Sequence, residues 1–327
     1  MTSHAVVLGI HHVTAIAGDA QRNVDFYAGV LGLRLVKRTV NFDDPRTYHL
    51  YYGDGEGRPG SILTFFPWPR GARGRQGRGQ VAVTSFAVLP GAIGFWVERL
   101  VKHGVAFEGP VRRGDEQALA FRDHDGLMLE IVAHAGAEGR AAWDGAGIPE
   151  RHALRGFHAV TLWEERGEET ERLLVDALGF RGVDEGRDGT RRFAAGDGGP
   201  GRLVDVRTVG GFLRGVDGVG AVHHVAWRAP DDAGELAIRE RVVAAGLAPT
   251  PVIDRQYFHS VYFREPGGVL FEIATDPPGF TVDEPLAELG TGLRLPPRYE
   301  TMRAELARSL PALHVPSPAA AGAPVAT

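Results

Sequence analysis

Two hydrophobic rhythms run along the chain, and their order repeats. Four stretches rich in β-branched and aromatic residues read as strands: IHHVTAI (10–16), VTSFAVL (Val83–Leu89), GFHAVTLW (Gly156–Trp163) and VHHVAWRA (222–229). Each is followed by helical spacing. After the first, Asp19 can cap a helix with Val24, Tyr27 and Leu31 on one face and Gly32 as its stop. After the fourth, Asp231 or Asp232 can cap a helix carrying Leu236, Ile238, Val242 and Val243 and ending at Gly246. Gly104 and Gly179 end the other two. Further strands then complete each unit, such as TYHLYYGD and SILTFFPW in the first. FRDHDGLMLEI (Phe121–Ile131) and FREPGGVLFEI (Phe263–Ile273) match in length and pattern, and each reads as a β-hairpin across a Gly-containing turn. Glu130 is thereby the positional twin of Glu272.

Each unit reads strand–helix–three strands, which predicts an α+β chain of four βαβββ modules arranged as two paired-module domains. One module alone has a half-covered sheet and an exposed edge, so it must bury both against a partner. The expected division is 1–144 for the N-terminal pair, 145–310 for the C-terminal pair, and a Pro/Ala-rich disordered tail over 311–327. The join falls in the Gly/Ala-rich stretch Gly136–Arg151. The Arg-Gly stretch Pro69–Gln80 reads as a solvated flexible linker. Pro285–Glu300 reads either as a closing arm over a site or as a surface wrap.

Composition narrows the function. The 327 residues are 43% hydrophobic and 24% charged, with a formal net charge of −5. A balance of that sign gives no electrostatic case for nucleic acid or an anionic membrane surface. With no cysteine, disulfides, thiolate metal sites and a Cys nucleophile are excluded. The N-terminus lacks a basic segment followed by an apolar one, and no apolar run could span a bilayer, so the expected location is cytoplasmic. GDGEGRPG and GDGGPG lack the strand–helix context of a dinucleotide site and the Lys of a P-loop. A homo-oligomer is allowed but not required, because four modules can close on one another.

The candidate chemistry lies in two His-His-Val strands, His11–His12 and His223–His224, and in Glu272. Two histidines and one carboxylate are the ligand set of a non-haem Fe(II) site with open positions, a set that Mn(II) also tolerates. A regular strand sends neighbouring side chains to opposite faces, so one histidine of each pair faces a given pocket. His12 and Thr14 share a face, as do His224 and Ala226. The pattern alone leaves open whether His11 or His12 is the ligand. His49, His103, His124, His134, His152 and His259 read as ordinary, with His259 the nearest to a pocket strand. The middle modules offer a second constellation: His158 at the ligand place of the third module, Asp205 and Glu130 on final strands, and Ser85 in place of the fourth ligand. We read it as a vestige of duplication rather than a second metal site.

KRTVNFDDPRTYHLYYGDGEGRPGSILTFFPWP, RGFHAVTLW, HHVAW and DRQYFHSVYFREPGGVLFE resemble the vicinal oxygen chelate superfamily, and within it the ring-cleaving dioxygenases that act on hydroquinones. The resemblance runs from about Gly9 to about Asp276. It implies Fe(II) held by His12, His224 and Glu272, the first and last modules side by side, and supporting roles for His11, Thr14, His223, Arg255 and Tyr262. It implies a small aromatic para-diol and O2 as reactants. Other activities occur on this fold: a glyoxalase-like isomerase, a catechol extradiol dioxygenase, or a non-catalytic binder of aromatic drugs. A glyoxalase would keep a carboxylate near Thr64, and a catechol enzyme would draw its ligands from the last two modules.

Overall fold

The computed structural model describes residues 6–144, 147–186 and 189–316. The first module is β1 (Ile10–Ala17), α1 (Ala20–Val24, widening into a π-helical turn over Asp25–Val30), β2 (Arg34–Val40), β3 (Tyr48–Gly53) and β4 (Ile62–Pro67). The second is β5 (Gln80–Val88), α2 (Ile93–Lys102), β6 (Phe107–Arg113), β7 (Glu116–Arg122) and β8 (Met128–Ala133). The third is β9 (Phe157–Glu164), α3 (Glu168–Arg172, with a π-helical turn over Leu173–Ala177), β10 (Arg181–Glu185), β11 (Thr190–Ala194) and β12 (Leu203–Thr208). The fourth is β13 (Val222–Ala229), α4 (Asp232–Ala244), β14 (Ile253–Asp254), β15 (Phe258–Arg264) and β16 (Leu270–Pro278), followed by α5 (Arg303–Ser309).

These strands form two curled eight-stranded sheets, ordered β14-β15-β16-β13-β1-β4-β3-β2 and β10-β11-β12-β9-β5-β8-β7-β6. The first strands of modules one and four pair antiparallel at the centre of one sheet, and those of two and three at the centre of the other. Each sheet therefore takes one module from either side of the 144/145 division, and the two modules of each sequence half sit in different sheets. Arg140 ties this crossing together by donating to the carbonyls of Gly60, Arg155 and Pro200. The Pro69–Gln80 stretch is not a free linker. Its backbone pairs with 213–219, through Gly74 to Val219 and Arg75 to Val216, both at 2.9 Å, so its amides spend their donors on protein rather than water.

The helices follow local chemistry. Asp19 accepts from the Arg22 amide and Asp231 from the Gly234 amide, so Asp231 is the cap of α4. Val24, Tyr27 and Leu31 are buried as expected. Leu236 and Val243 instead face solvent, at 49% and 48% exposure, because α4 seats only Glu235, Ile238 and Val242 on the sheet.

The stretch after β16 closes the first sheet. Asp283 contacts Lys37 of edge strand β2 at 2.6 Å and also accepts from Gln256 and Tyr257 beside the opposite edge. Leu293 bridges Arg38 in parallel, and the Tyr299 hydroxyl donates to the Phe42 carbonyl. Pro285–Glu300 is thus a wrap along β2, which satisfies an edge that would otherwise recruit another strand. Within the segment expected to be a disordered tail, Pro311 accepts from Tyr48, and His314 exchanges two hydrogen bonds with Gln21. Residues 317–327 lie outside the described residues.

One buried acid pair makes stability depend on pH. Glu164 and Glu265 are 0% and 2% exposed, and Glu265 accepts from Thr170 and the Val269 amide. Burial, with Glu265 adding to it, pushes the Glu164 carboxyl up to about 9. A raised carboxyl pKa in the folded state costs stability as pH climbs from the unfolded value toward the folded one. Wild-type protein should therefore lose stability between about pH 4.5 and 9. Glu164→Gln should flatten that slope and be at least as stable at pH 8, as urea unfolding at pH 5 and pH 8 would show.

Candidate metal centre and active site

Two β-bulges build the site. On β1, Ile10 lies opposite Trp227 and His12 opposite Ala226, so His11 is an extra residue. On β13, Thr14 lies opposite His224 and Ala15 opposite Val222, which makes His223 the extra residue there. A bulge re-aims its side chains. It thereby overturns the expectation from strand period that His11 and His223 face away from their neighbours. His11 Nδ1 sits 2.9 Å from His12 Nδ1, and His223 Nδ1 sits 2.7 Å from His224 Nδ1. Phe258 braces both rings of the first pair, with centroids at 5.1 and 5.0 Å.

The register then converges three donor atoms. Ala226 pairs with Glu272 across β13 and β16, and His12 pairs with Ala226 across β1 and β13. Nε2 of His12 lies 3.1 Å from Glu272 Oε2, Nε2 of His224 lies 2.9 Å from it, and the two nitrogens are 3.2 Å apart. All three side chains are buried. Among the described residues this is the one group of His, Asp and Glu with metal-binding spacing.

Hydrogen bonds set the proton positions. His11 Nε2 lies 3.1 Å from the Thr275 carbonyl, which only accepts, so His11 donates there and its Nδ1 accepts from His12 Nδ1–H. Burial, with His12 next, holds the His11 imidazole well below its usual pKa, consistent with this neutral form. His12 Nε2 then faces the Glu272 carboxylate, 3.1 Å from Oε2. Burial alone would raise the Glu272 carboxyl, but His12 and His224 hold it well below the usual carboxylate range. Electron pairs that close in a dry site repel unless a proton or a metal cation lies among them. The donor set therefore fits a divalent metal, and each ligand histidine is oriented by its neighbour's ring.

Polar groups ring this centre. Arg255 Nε donates to the Tyr262 hydroxyl at 3.2 Å, and its guanidinium also meets Asp43. Burial raises Tyr262, and the charge of Glu272 adds to it, so the phenol keeps its proton. Burial, with His224 next, pulls His223 down to about 3. Thr14 hydrogen-bonds Thr64 at 2.8 Å. His259 does not reach the site. It pairs with Asp232 at 2.7 Å on the surface, which corrects its ranking as the nearest of the ordinary histidines. His49 and Tyr51 were not singled out from sequence as site residues, yet β3 places both beside the centre. The signal was their alternate spacing in YHLYYG, opposite Thr64.

The family described as Glyoxalase/Bleomycin resistance protein/Dioxygenase superfamily matches residues 9–131 and 156–273, which take in all four modules. The chain belongs to this superfamily. It is 47% identical over 303 residues to MhqO of Bacillus subtilis (strain 168), a protein whose name describes a ring-cleaving dioxygenase, covering 93% of this chain and 96% of that one. It is 36% identical over 313 residues to a chlorohydroquinone/hydroquinone 1,2-dioxygenase of Sphingobium indicum, covering 93% and 96%. A crystal structure of a Bacillus subtilis protein described as a dioxygenase superposes with a TM-score of 0.90 at 45% identity, over 95% of this chain and 98% of that one. Glyoxalase I from Zea mays shares the fold, with a TM-score of 0.60 at 16% identity, over 82% and 92%.

The superfamily's internal duplication corrects the reading of the second sheet. There Phe157 lies opposite Phe86 and Ala159 opposite Ser85, so His158 is the bulged residue and the twin of His11, not of a ligand. Ala159 holds the place of His12. Val83, opposite Thr161, holds that of His224, so Ser85 is not the missing ligand. Glu130 and Asp205 do match Glu272 and Thr64 by register. They are engaged elsewhere: Arg113 and Ser85 bind Glu130, and Arg192 clamps Asp205 through two nitrogens at 2.7 and 2.9 Å. With both histidine ligands replaced by apolar residues, His158, Glu130 and Asp205 form no second metal group.

Proposed function

We propose that this chain is an iron(II)-dependent dioxygenase that opens hydroquinone-type, para-diol rings with O2. The observation that carries the reading is the buried His12–His224–Glu272 triad, whose three donor atoms converge to within 3.2 Å of one another. The identity to a named hydroquinone 1,2-dioxygenase supports the substrate class. When bound, iron(II) supplies the redox chemistry that lets O2 react with an aromatic ring. The overall step balances without an outside reductant. One ring carbon–carbon bond breaks, each severed carbon receives one oxygen atom of O2, and the ring provides all four electrons.

The chain's own groups bind and orient. The Arg255 guanidinium stays charged and suits an anionic substrate oxygen, while Tyr262, held against it, keeps a proton to donate. His223 is held neutral by burial, and its ring orients His224 through the Nδ1 contact at 2.7 Å. Burial of the triad excludes water. Thr64 in place of a second carboxylate counts against an isomerase of the glyoxalase kind.

Tyr262→Phe is expected to lower kcat/KM for hydroquinone about 100-fold with little loss of iron. Wild-type rates in both Tyr262→Phe and Arg255→Ala would remove these two roles. The reading as a whole is tested by running the iron-loaded protein with hydroquinone under 18O2. A ring-opened product carrying both labelled atoms is expected. Quinone without label would show oxidation rather than cleavage and overturn the proposal.

A further inference from the structure

One peptide group in the loop between β2 and β3 is held three times over. The Asp43 amide donates to Asn41 Oδ1 at 2.9 Å. The carbonyl of the same peptide belongs to Phe42, and it accepts from Arg298 Nη2 at 2.6 Å and from the Tyr299 hydroxyl at 2.8 Å. Both of those donors come from the Pro297–Met302 turn at the end of the wrap. The Phe42 ring is buried in a cluster with Tyr51, Tyr257 and Phe280, and the Arg298 guanidinium lies 5.6 Å over it. The Asp43 side chain, by contrast, is 75% exposed. A solvated loop carboxylate gains nothing for its own packing from so firm a base, so the base points to what the carboxylate holds.

It holds Arg255. Asp43 Oδ2 accepts from Arg255 Nη1 at 3.2 Å, while Arg255 Nε donates to the Tyr262 hydroxyl at 3.2 Å. Tyr262 lies opposite Glu272 across β15 and β16, so the second contact sits beside the metal donors. Arg255 is thus pinned at two of its three guanidinium nitrogens, by its own module on one side and by the first module on the other. Nη2 has no acceptor among the described residues, and the Arg255 side chain keeps 19% of its surface exposed. An ion pair between two free surface side chains is weak, because ordering both offsets the attraction. Asp43 is short and its peptide is already anchored, so most of that ordering is done before substrate arrives.

We propose that Asp43, anchored by the wrap, is a positioning residue that holds the Arg255 guanidinium beside Tyr262 in the pose that receives an anionic oxygen of the aromatic substrate. The substrate part of this rests on the proposed function, while the pinning of Arg255 does not. Position and charge predict opposite signs. A carboxylate near an anionic ligand repels it, so charge alone would make Asp43→Ala bind substrate more tightly. Loss of the pin makes it bind more weakly.

Two measurements test it. The first is the hydrogen-exchange rate of the Arg255 Nε–H, read by 15N NMR in zinc-loaded, diamagnetic protein without substrate. Asp43→Ala should speed that exchange several-fold, and an unchanged rate would overturn the pinning. The second is anaerobic binding of hydroquinone to the iron(II)-loaded chain. Asp43→Ala should weaken binding about fivefold with iron content unchanged. Asp43→Asn keeps an acceptor oxygen without the charge and should restore most of the loss. In an Arg255→Ala background, Asp43→Ala should cost nothing further. Equal or tighter binding in Asp43→Ala, or the same loss without Arg255, would overturn the positioning role. If Asp43→Ala sped the exchange but wild-type protein bound no hydroquinone, the functional reading would fail and the pinning would stand.

Discussion

His224→Ala, and equally His12→Ala or Glu272→Ala, should take the protein from about one iron per chain to near none and reduce oxygen uptake to the metal-free background. Each removes one of three converging donors from a site with almost no access to water that could replace it. The effect separates ligands from the residues that orient them. His11→Ala leaves all three donors but releases the His12 ring, and should weaken metal binding by about 10–100-fold rather than abolish it. Thermal melts read the same difference. A metal that binds only the folded state stabilises it by about 2.7 kcal/mol at a hundred times its Kd. Wild-type Tm should rise with added Mn(II) or anaerobic Fe(II), His11→Ala should need more metal, and His224→Ala should not respond. A His224→Ala protein that retained full iron would place the metal elsewhere.

The second large effect lies away from the donors. Lys37→Met should destabilise the fold by roughly 3–5 kcal/mol, a drop in Tm on the order of 10 °C. Lys37 and Glu284 are 0% and 2% exposed, and the ammonium meets Glu284 at 2.8 Å, Asp283 at 2.6 Å and the Phe280 carbonyl at 3.1 Å. Losing the lysine strands a buried carboxylate that keeps only Arg294 and the Gly290 amide. It also cuts the link that closes the edges of the first sheet through Asp283. Tyr257 and Phe280 pack there under Tyr51, so metal affinity should fall with stability. Adding Glu284→Gln to Lys37→Met should recover part of the loss, as denaturant unfolding of the three proteins would show. A single substitution no costlier than the double would contradict the assignment of the penalty to the stranded charge.

Much of this architecture was legible because each module repeats its strand pattern and its Gly-terminated helix. Matching FRDHDGLMLEI to FREPGGVLFEI places Glu130 and Glu272 at equivalent points, and the register agrees. Composition and spacing did not reveal the bulges. One extra residue on β1 or β13 leaves no mark in a hydrophobic pattern, yet it turns the rings of His11 and His223 toward those of His12 and His224. The same blindness put His158 at a ligand place, since GFHAVTLW aligned by its histidine hides that Ala159 is the twin of His12. Long-range partners were equally silent. Nothing local in Lys37 announces a carboxylate 247 positions away, and nothing in YHLYYG announces Thr64. The Arg-Gly stretch Pro69–Gln80 misled for the opposite reason. Its composition matches a free linker, while its backbone is spent on pairing with 213–219. No helix is long and apolar enough to cross a membrane among the described residues, and location stays an expectation from sequence.

The most direct test of the account is an oxygen electrode trace with hydroquinone after anaerobic Fe(II) loading, run beside catechol, metal-free protein and His12→Ala. The account predicts one O2 consumed per hydroquinone, slower or no uptake with catechol, and none without iron or without His12. Uptake that persists in metal-free protein, or an iron-loaded chain that consumes no O2 with either diol, would contradict it.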